Sequence, residues 1–421
     1  MMTPTTLHAR YVFPAVGEPI RDGVVTIDGG RIAAVGRRGD ASSLQRGRAS
    51  LRDLGNVAIL PGLVNAHTHL EFSDIETPLG HPGISLPDWI RLAMARRKAE
   101  EIPTAIAAGL RESVRSGVTT LGDIVQPGQI AAASPIDVTA FLELIAPTVE
   151  RIPAALERAR SHVKPPLNGP VRPGLSPHAP YSVRLDLVDA VAQLSAAEKI
   201  PVAMHLAESP EELQWLRDGT GPFRTLLEEL GAEEAAVGGL RPMDYLQRLA
   251  AAYRALVIHG NYLADDEIAL LAANAERMAV VYCPRCRDWF APRGTGCQPA
   301  PRHVYPLAKM LSAGVTVALG TDGRGSTPDL SILGEMRFAA RRHPEVGRGD
   351  ILRMGTVLGA KALGVEQEAG SLTPGKRADL AIVALPDRDA SDPYALLFDS
   401  DEPVVACYCR GVEAFEARKM T

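Results

Sequence analysis

The 421-residue chain is poor in cysteine and in aromatic side chains. Five cysteines are few for this length and odd in number, so a disulfide framework is not expected and reduced thiols fit better. Aromatic residues make up 5% of the chain, too few for the stacking platforms that hold single-stranded nucleic acid. Neither sign of charge dominates. With 45 basic and 50 acidic residues the net charge is −5, which gives a polyanion no bulk attraction. No apolar run approaches the roughly 18 residues of a membrane span. Residues Met1 to Gly17 lack both a basic start and a continuous apolar stretch, so no secretory signal is expected and a cytoplasmic setting is.

What the chain has in surplus is proline and glycine: 33 and 38 residues, about 17% against an average near 12%. No repeat period accompanies them, which excludes collagen and suggests many turns between short elements. The N-terminal stretch Val24–Ile27, Asp28-Gly29-Gly30, Arg31–Gly36 reads as strand, tight turn, strand. Ala378–Val383 and Val404–Cys409 are further short apolar runs, and the two chain ends are expected to pair as one small β domain. Between them, eight apolar, β-branched segments recur: Ala58–Val64, Thr119–Asp123, Val138–Leu144, Val171–Leu175, Pro201–Leu206, Leu256–His259, Met278–Cys283 and Val315–Leu319. Amphipathic stretches such as Asp186–Glu198, Asp265–Ala275 and Val304–Ala313 lie between them. This alternation predicts an α/β fold: a (β/α)8 TIM barrel over residues 61–368, with a small β-sandwich domain built from residues 1–60 and 369–421. A doubly wound open sheet is the rival architecture.

Polar groups stand at the ends of several predicted strands. His67 and His69 follow the first, and residues at i and i+2 on a strand share a face, so both imidazoles can converge on one ion. His205 ends the fifth strand, His259 the sixth, and Asp322 follows the eighth. In a barrel all of these open onto the C-terminal face, where such enzymes carry out their chemistry. Three imidazoles with a carboxylate suit one divalent ion per chain, with zinc expected and iron(II) as the alternative. An open coordination position lets bound water lose its proton near neutral pH. Glu208, three residues beyond His205, is placed to shuttle that proton to a leaving nitrogen. As a bland alternative it is a helix-start carboxylate beside Ser209-Pro210.

The order HxH, His, His, Asp at successive strand ends resembles the amidohydrolase superfamily of metal-dependent hydrolases. Leu60–His69 resembles that family's opening motif and Gly370–Leu380 its closing one. His205 with Glu208 resembles the HxxE pairing of the branch that holds cytosine, guanine and adenosine-type deaminases and triazine hydrolases. The resemblance implies that His67, His69, His205 and Asp322 bind one metal, and that His259 orients the attacking oxygen. It implies that Glu208 protonates a ring nitrogen while Asp322 takes a proton from water. Dinuclear branches carry a lysine at the fourth strand; here Gly174–His178 has none, which favours one metal. His178, in Ser176–Ser182, resembles a substrate-contacting histidine of nucleoside and aminofutalosine deaminases. Glu71, in the run His69–Ser73, is a further candidate contact, as is His303 ahead of Tyr305-Pro306.

Two departures stand against transferring a substrate by resemblance. The segment around Trp89-Ile90-Arg91 shows no clear ribose-binding glutamate. After the seventh strand the branch's CPRSN or CPRSH is here Cys283-Pro284-Arg285-Cys286-Arg287. With Cys297 and His303, the pair Cys283 and Cys286 could form a structural zinc site, but the spacing is not that of a zinc finger and ordinary thiols are the expectation. The function expected is hydrolytic deamination of a purine-like or aminated heterocycle, aminofutalosine or another adenine nucleoside derivative first. The alternatives are hydrolysis of a cyclic amide or a triazine-type substituent and, in a different class, a barrel that binds a metal or ligand without turnover. The expected partner is a small-molecule substrate, with neither nucleic acid nor membrane; a homodimer is left open.

Overall fold

The computed structural model describes residues 4–40, 50–96, 100–129, 134–164, 170–232, 238–293 and 304–417. The chain opens with β1 (Thr5–Val12), β2 (Ile20–Asp28), β3 (Arg31–Arg37), β4 (Ser50–Asp53) and β5 (Val57–Pro61). Eight more strands follow: β6 (Leu63–Thr68), β7 (Val118–Val125), β8 (Asp137–Leu144), β9 (Val171–Pro177), β10 (Pro201–Leu206), β11 (Arg254–His259), β12 (Met278–Tyr282) and β13 (Thr316–Leu319). These eight pair in sequence order, every neighbour parallel. A parallel bridge between Thr68 and Asp322 brings the β13 end back to β6, and the peptide N–H groups of Thr321 and Asp322 both donate to His67 O. The sheet thus curls into the expected barrel. Helices intervene between most strands, among them Leu185–Glu198 and Asp265–Ala273, close to the predicted spans. The stretch predicted as helical from Val304 is helical only over Leu307–Ser312.

Alternation along the strands divides the core. Ala203, Leu256, Ile258, Ala279, Val281 and Ala318 belong to a cluster shared by strands all round the barrel, so they fill its lumen. Their neighbours Val202, Met204, Val257, Val280 and Val317 belong to the larger cluster that packs under the helices. Among the described residues no helix is long and apolar enough to cross a membrane.

The first predicted barrel strand, Ala58–Val64, proves to be two elements. Val57–Pro61 is β5 of the terminal sheet, and Leu63 starts β6. Proline cannot donate to a ladder. A Cβ on Gly62 would come within 2.1 Å of Thr119 Oγ1, so the chain passes from one sheet to the other where only glycine fits. A continuous apolar run conceals that change of partner. His67 therefore lies on its strand rather than after it, and His69 directly follows.

The terminal sheet is completed by β14 (Leu380–Ala384), β15 (Val404–Cys409) and β16 (Val412–Glu416). Its order is β16-β15-β14-β5-β1-β2-β3, with β4 beside β1. The predicted hairpin is present, and β5 joins the two chain ends: β1 pairs on one side in parallel, β14 on the other antiparallel. Leu7, Val25, Ile59, Leu380, Ile382 and Tyr408 face a cluster made almost wholly of the sheet's own residues. They are 7% exposed or less, so the sheet must curl over to cover that face itself. The alternate residues Ala58, Leu60, Ala381, Val383 and Cys407 join the barrel's outer core. Buried Asp137, at the start of β8, pairs with Arg377 and Arg410 and so ties the base of the barrel to this sheet.

Candidate metal and catalytic site

The polar groups gather where the strands end. His67 on β6, His69 just beyond it and His205 on β10 bring ligand nitrogens within 4.8 Å of one another, and His67, His259 and Asp322 do the same. His67 Nε2 lies 3.2 Å and His69 Nε2 3.6 Å from Asp322 Oδ1, and the Nε2 atoms of His69 and His205 face each other at 3.3 Å. His205 continues the inward alternation set by Ala203. His259 does not, since Ile258 before it already faces the lumen. It reaches the site through a left-handed backbone, φ 68°. Asp322 and Ala207 are likewise left-handed, at 59° and 54°. Each such non-glycine residue costs on the order of 1 kcal/mol or more, and strain of this kind collects at functional sites.

Burial pushes the pKa of His67, His69 and His259 well below the usual imidazole value, and that of His205 down to about 4. All four rings are therefore neutral, the form that binds metal. Burial also opposes ionisation of Asp322, but the His69 and His259 rings that face it and the Ser326 hydroxyl favour its charged form, and its pKa ends below the ordinary carboxyl value. Four neutral imidazoles facing one carboxylate, with two ring nitrogens in contact, are a donor set that fits a divalent ion.

Neighbouring groups hold this arrangement, of which Ser326 and Asp123 were not singled out by the sequence. His205 Nδ1 donates to the carbonyl of His178 at 3.1 Å, which leaves Nε2 for the site. Ser326 Oγ donates a short hydrogen bond to Asp322 Oδ2, and Cys286 Sγ donates to the same oxygen at 3.2 Å. Asp123, at the end of β7, accepts from the Leu70 N–H at 2.9 Å and fixes the turn after His69.

Glu208 is 8% exposed and its Oε1 lies 3.3 Å from His259 Nε2. Burial, then Asp322, Glu212 and Glu211, raise its pKa well above the ordinary carboxyl value, so it retains a proton. Its backbone is clamped: Glu212 accepts from the N–H groups of Ala207 and Glu208 at 2.7 and 3.0 Å, and Asn261 Nδ2 donates to the Glu208 carbonyl at 2.9 Å. Ser209 caps the helix Pro210–Asp218 by accepting from the Glu212 N–H. The pattern Ser-x-x-Glu is the signal that could have revealed Glu212.

His69, His205, Glu208, His259 and Asp322 form the floor of a cavity of about 370 Å³. The predicted contacts Glu71 and His178 line it too. His178 Nδ1 is 2.7 Å from Ser182 Oγ, and its Nε2 is 3.8 Å from Glu143 Oε1. Glu143 is fixed by Gln126 and, like Arg151, lines the cavity without having been anticipated. Phe72, Leu86, Trp89, Met94, Leu227 and Phe290 make an apolar collar above the floor. His303 and Cys297 lie outside the described residues. Cys286 lies against Asp322, and it and Cys283 are both free thiols.

The chain is similar to proteins that are already known. The chain is 31% identical over 380 residues to a 5-methylthioadenosine/S-adenosylhomocysteine deaminase of Pyrococcus furiosus, covering 85% of this chain and 81% of that protein. It is 30% identical over 378 residues to an aminodeoxyfutalosine deaminase of Deinococcus radiodurans, covering 85% of each. The structure of a zinc-bound adenosine deaminase from Xanthomonas campestris superposes with a TM-score of 0.79 at 24% identity, covering 99% of this chain and 94% of that one. Residues 58–412 match the Amidohydrolase family, and the chain belongs to it.

Proposed function

We propose that this hydrolase of carbon–nitrogen bonds is a mononuclear, metal-dependent deaminase of an adenine nucleoside derivative, with aminofutalosine-type and methylthioadenosine-type nucleosides as first candidates. The observation that carries the reading is the buried Glu208 carboxyl, 3.3 Å from His259 and beside the His67, His69, His205 and Asp322 donors. Those four residues would hold the ion. Bound there, it would supply an acidified water at neutral pH. Asp322, kept ionised, takes up the water's proton. The water oxygen bonds to the amine-bearing carbon as Glu208 delivers its own proton to the adjacent ring nitrogen; the proton held by Asp322 then passes to the amine, the carbon–nitrogen bond breaks, ammonia leaves, and the new hydroxyl returns a proton to Glu208. His259 donates to the oxygen that attacks, and His178 and Glu71 contact the substrate. The apolar collar excludes water and accepts the less polar part of the nucleoside.

The donor set supports zinc as the resident ion, with iron(II) as the alternative. A cytoplasmic setting belongs to the same reading. The sheet change at Pro61-Gly62 supports a small β domain of residues 1–60 with 369–421 and a catalytic barrel of 61–368. The test is metal analysis of the purified chain together with ammonia release from a panel of adenine nucleosides and other aminated heterocycles. One ion per chain and selective release from an adenine nucleoside are expected. A metal-loaded enzyme that opens cyclic amides and frees no ammonia would overturn the reading.

A further inference from the structure

Two sets of donors with no residue in common meet beneath the cavity. One is His67, His69 and His205; the other is Glu208, His259 and Cys286, whose ligand atoms also lie within 4.8 Å of one another. All three residues of the second set are buried, and Glu208 and His259 line the cavity, so an ion that enters from solvent can reach them. Cys286 belongs to the first turn of the helix Pro284–Phe290, which begins directly after β12 and its following Cys283, and its thiol donates to Asp322 Oδ2. We propose that Glu208, His259 and Cys286 form a second, inhibitory metal site that selects thiophilic divalent cations such as Cd²⁺, and Zn²⁺ in excess.

The chemistry of the donors separates the two sites. Three imidazoles and a carboxylate suit borderline ions, whereas a thiolate, an imidazole and a carboxylate add a soft ligand that favours cadmium and zinc over harder metals. Filling the second site releases the thiol proton of Cys286 to solvent, and the carboxyl proton of Glu208 with it. The ion then occupies the carboxylate needed for proton delivery and the imidazole needed to orient the attacking oxygen. Inhibition therefore follows from occupancy alone. The inference rests on the ligand assignment proposed above, because it requires the second set to be free when the first is filled.

The experiment titrates enzyme holding one zinc per chain with CdCl₂, following the ultraviolet thiolate-to-cadmium absorption, metal content after desalting, and ammonia release. The first donor set contains no sulfur, so the band reports only on a cysteine site. A second bound ion is expected, with the band growing in step with the loss of activity. Cys286→Ser should lose the band and bind the second cadmium at least about tenfold more weakly, while Cys283→Ser should retain both. An equal band in Cys286→Ser, or wild-type enzyme that stays at one metal, would overturn the proposal. If zinc-reconstituted enzyme holds no first ion, the ligand assignment falls instead.

Discussion

Ala66, Phe141, Ala203, Leu256, Ile258 and Val281 fill the barrel lumen with side chains that are fully buried and apolar. One or two residues further along the same strands stand His67, His205 and His259, just as buried but titratable. The upper layer carries left-handed residues at His259 and Asp322, which the lower layer lacks, and a slipped register between Asn65 and Thr68. Within a few ångströms the same strands change from packing for stability to presenting groups whose burial is costly unless something binds them. Substitutions in the two layers should accordingly fail in different ways.

The sharpest break comes from the donors. His205→Asn should lose the bound metal and fall to the rate of chelated wild-type enzyme, with an unchanged circular dichroism spectrum; metal content measured alongside turnover decides it. Glu208→Gln should keep the metal and lose about 10²–10⁴-fold in kcat, and full turnover in that variant would remove the proton-delivery role. Phe141→Ala, in the lower layer, should reverse the pattern. It should cost about 3–5 kcal/mol of stability in urea unfolding while the folded fraction keeps its metal, and a stable but inactive protein would show that the layers are not separate. The smallest effect is expected from Ser326→Ala, which removes one hydrogen bond to Asp322. A loss of about tenfold in kcat/KM or metal affinity should appear with no change in melting temperature.

The sequence exposes the lower layer and the donors well, because an apolar run followed by a histidine marks a strand and its end together. His205 and His259 were placed at their strand ends for that reason. The β5–β6 junction was hidden because both sheets require the same apolar residues there. Glu143, Gln126, Arg151 and Ser326 were also hidden. Each has ordinary neighbours in the chain, and only barrel closure brings Glu143 and Arg151 to the cavity and sets Gln126 and Ser326 behind Glu143 and Asp322. Cys286 was visible as part of a motif, but its direction was not, since a cysteine beside a strand end reads equally well as core. His178 shows the opposite case, as the run Ser176–Ser182 drew notice to the ring while its backbone carbonyl, which orients His205, left no trace.

The place of β5 between β1 and β14 also has a consequence in time. The barrel strands are contiguous in the chain and can pair as they leave the ribosome, but β5 meets β14 only after Leu380 has been made, roughly 320 residues after Pro61. Until then one edge of β5 is exposed, and β1–β4 have no cover for the face that later becomes the sheet's own core. The terminal sheet is thus the last part of the molecule to assemble, and the interval before β14 arrives is when a nascent chain is most open to chaperones and to mispairing with its neighbours.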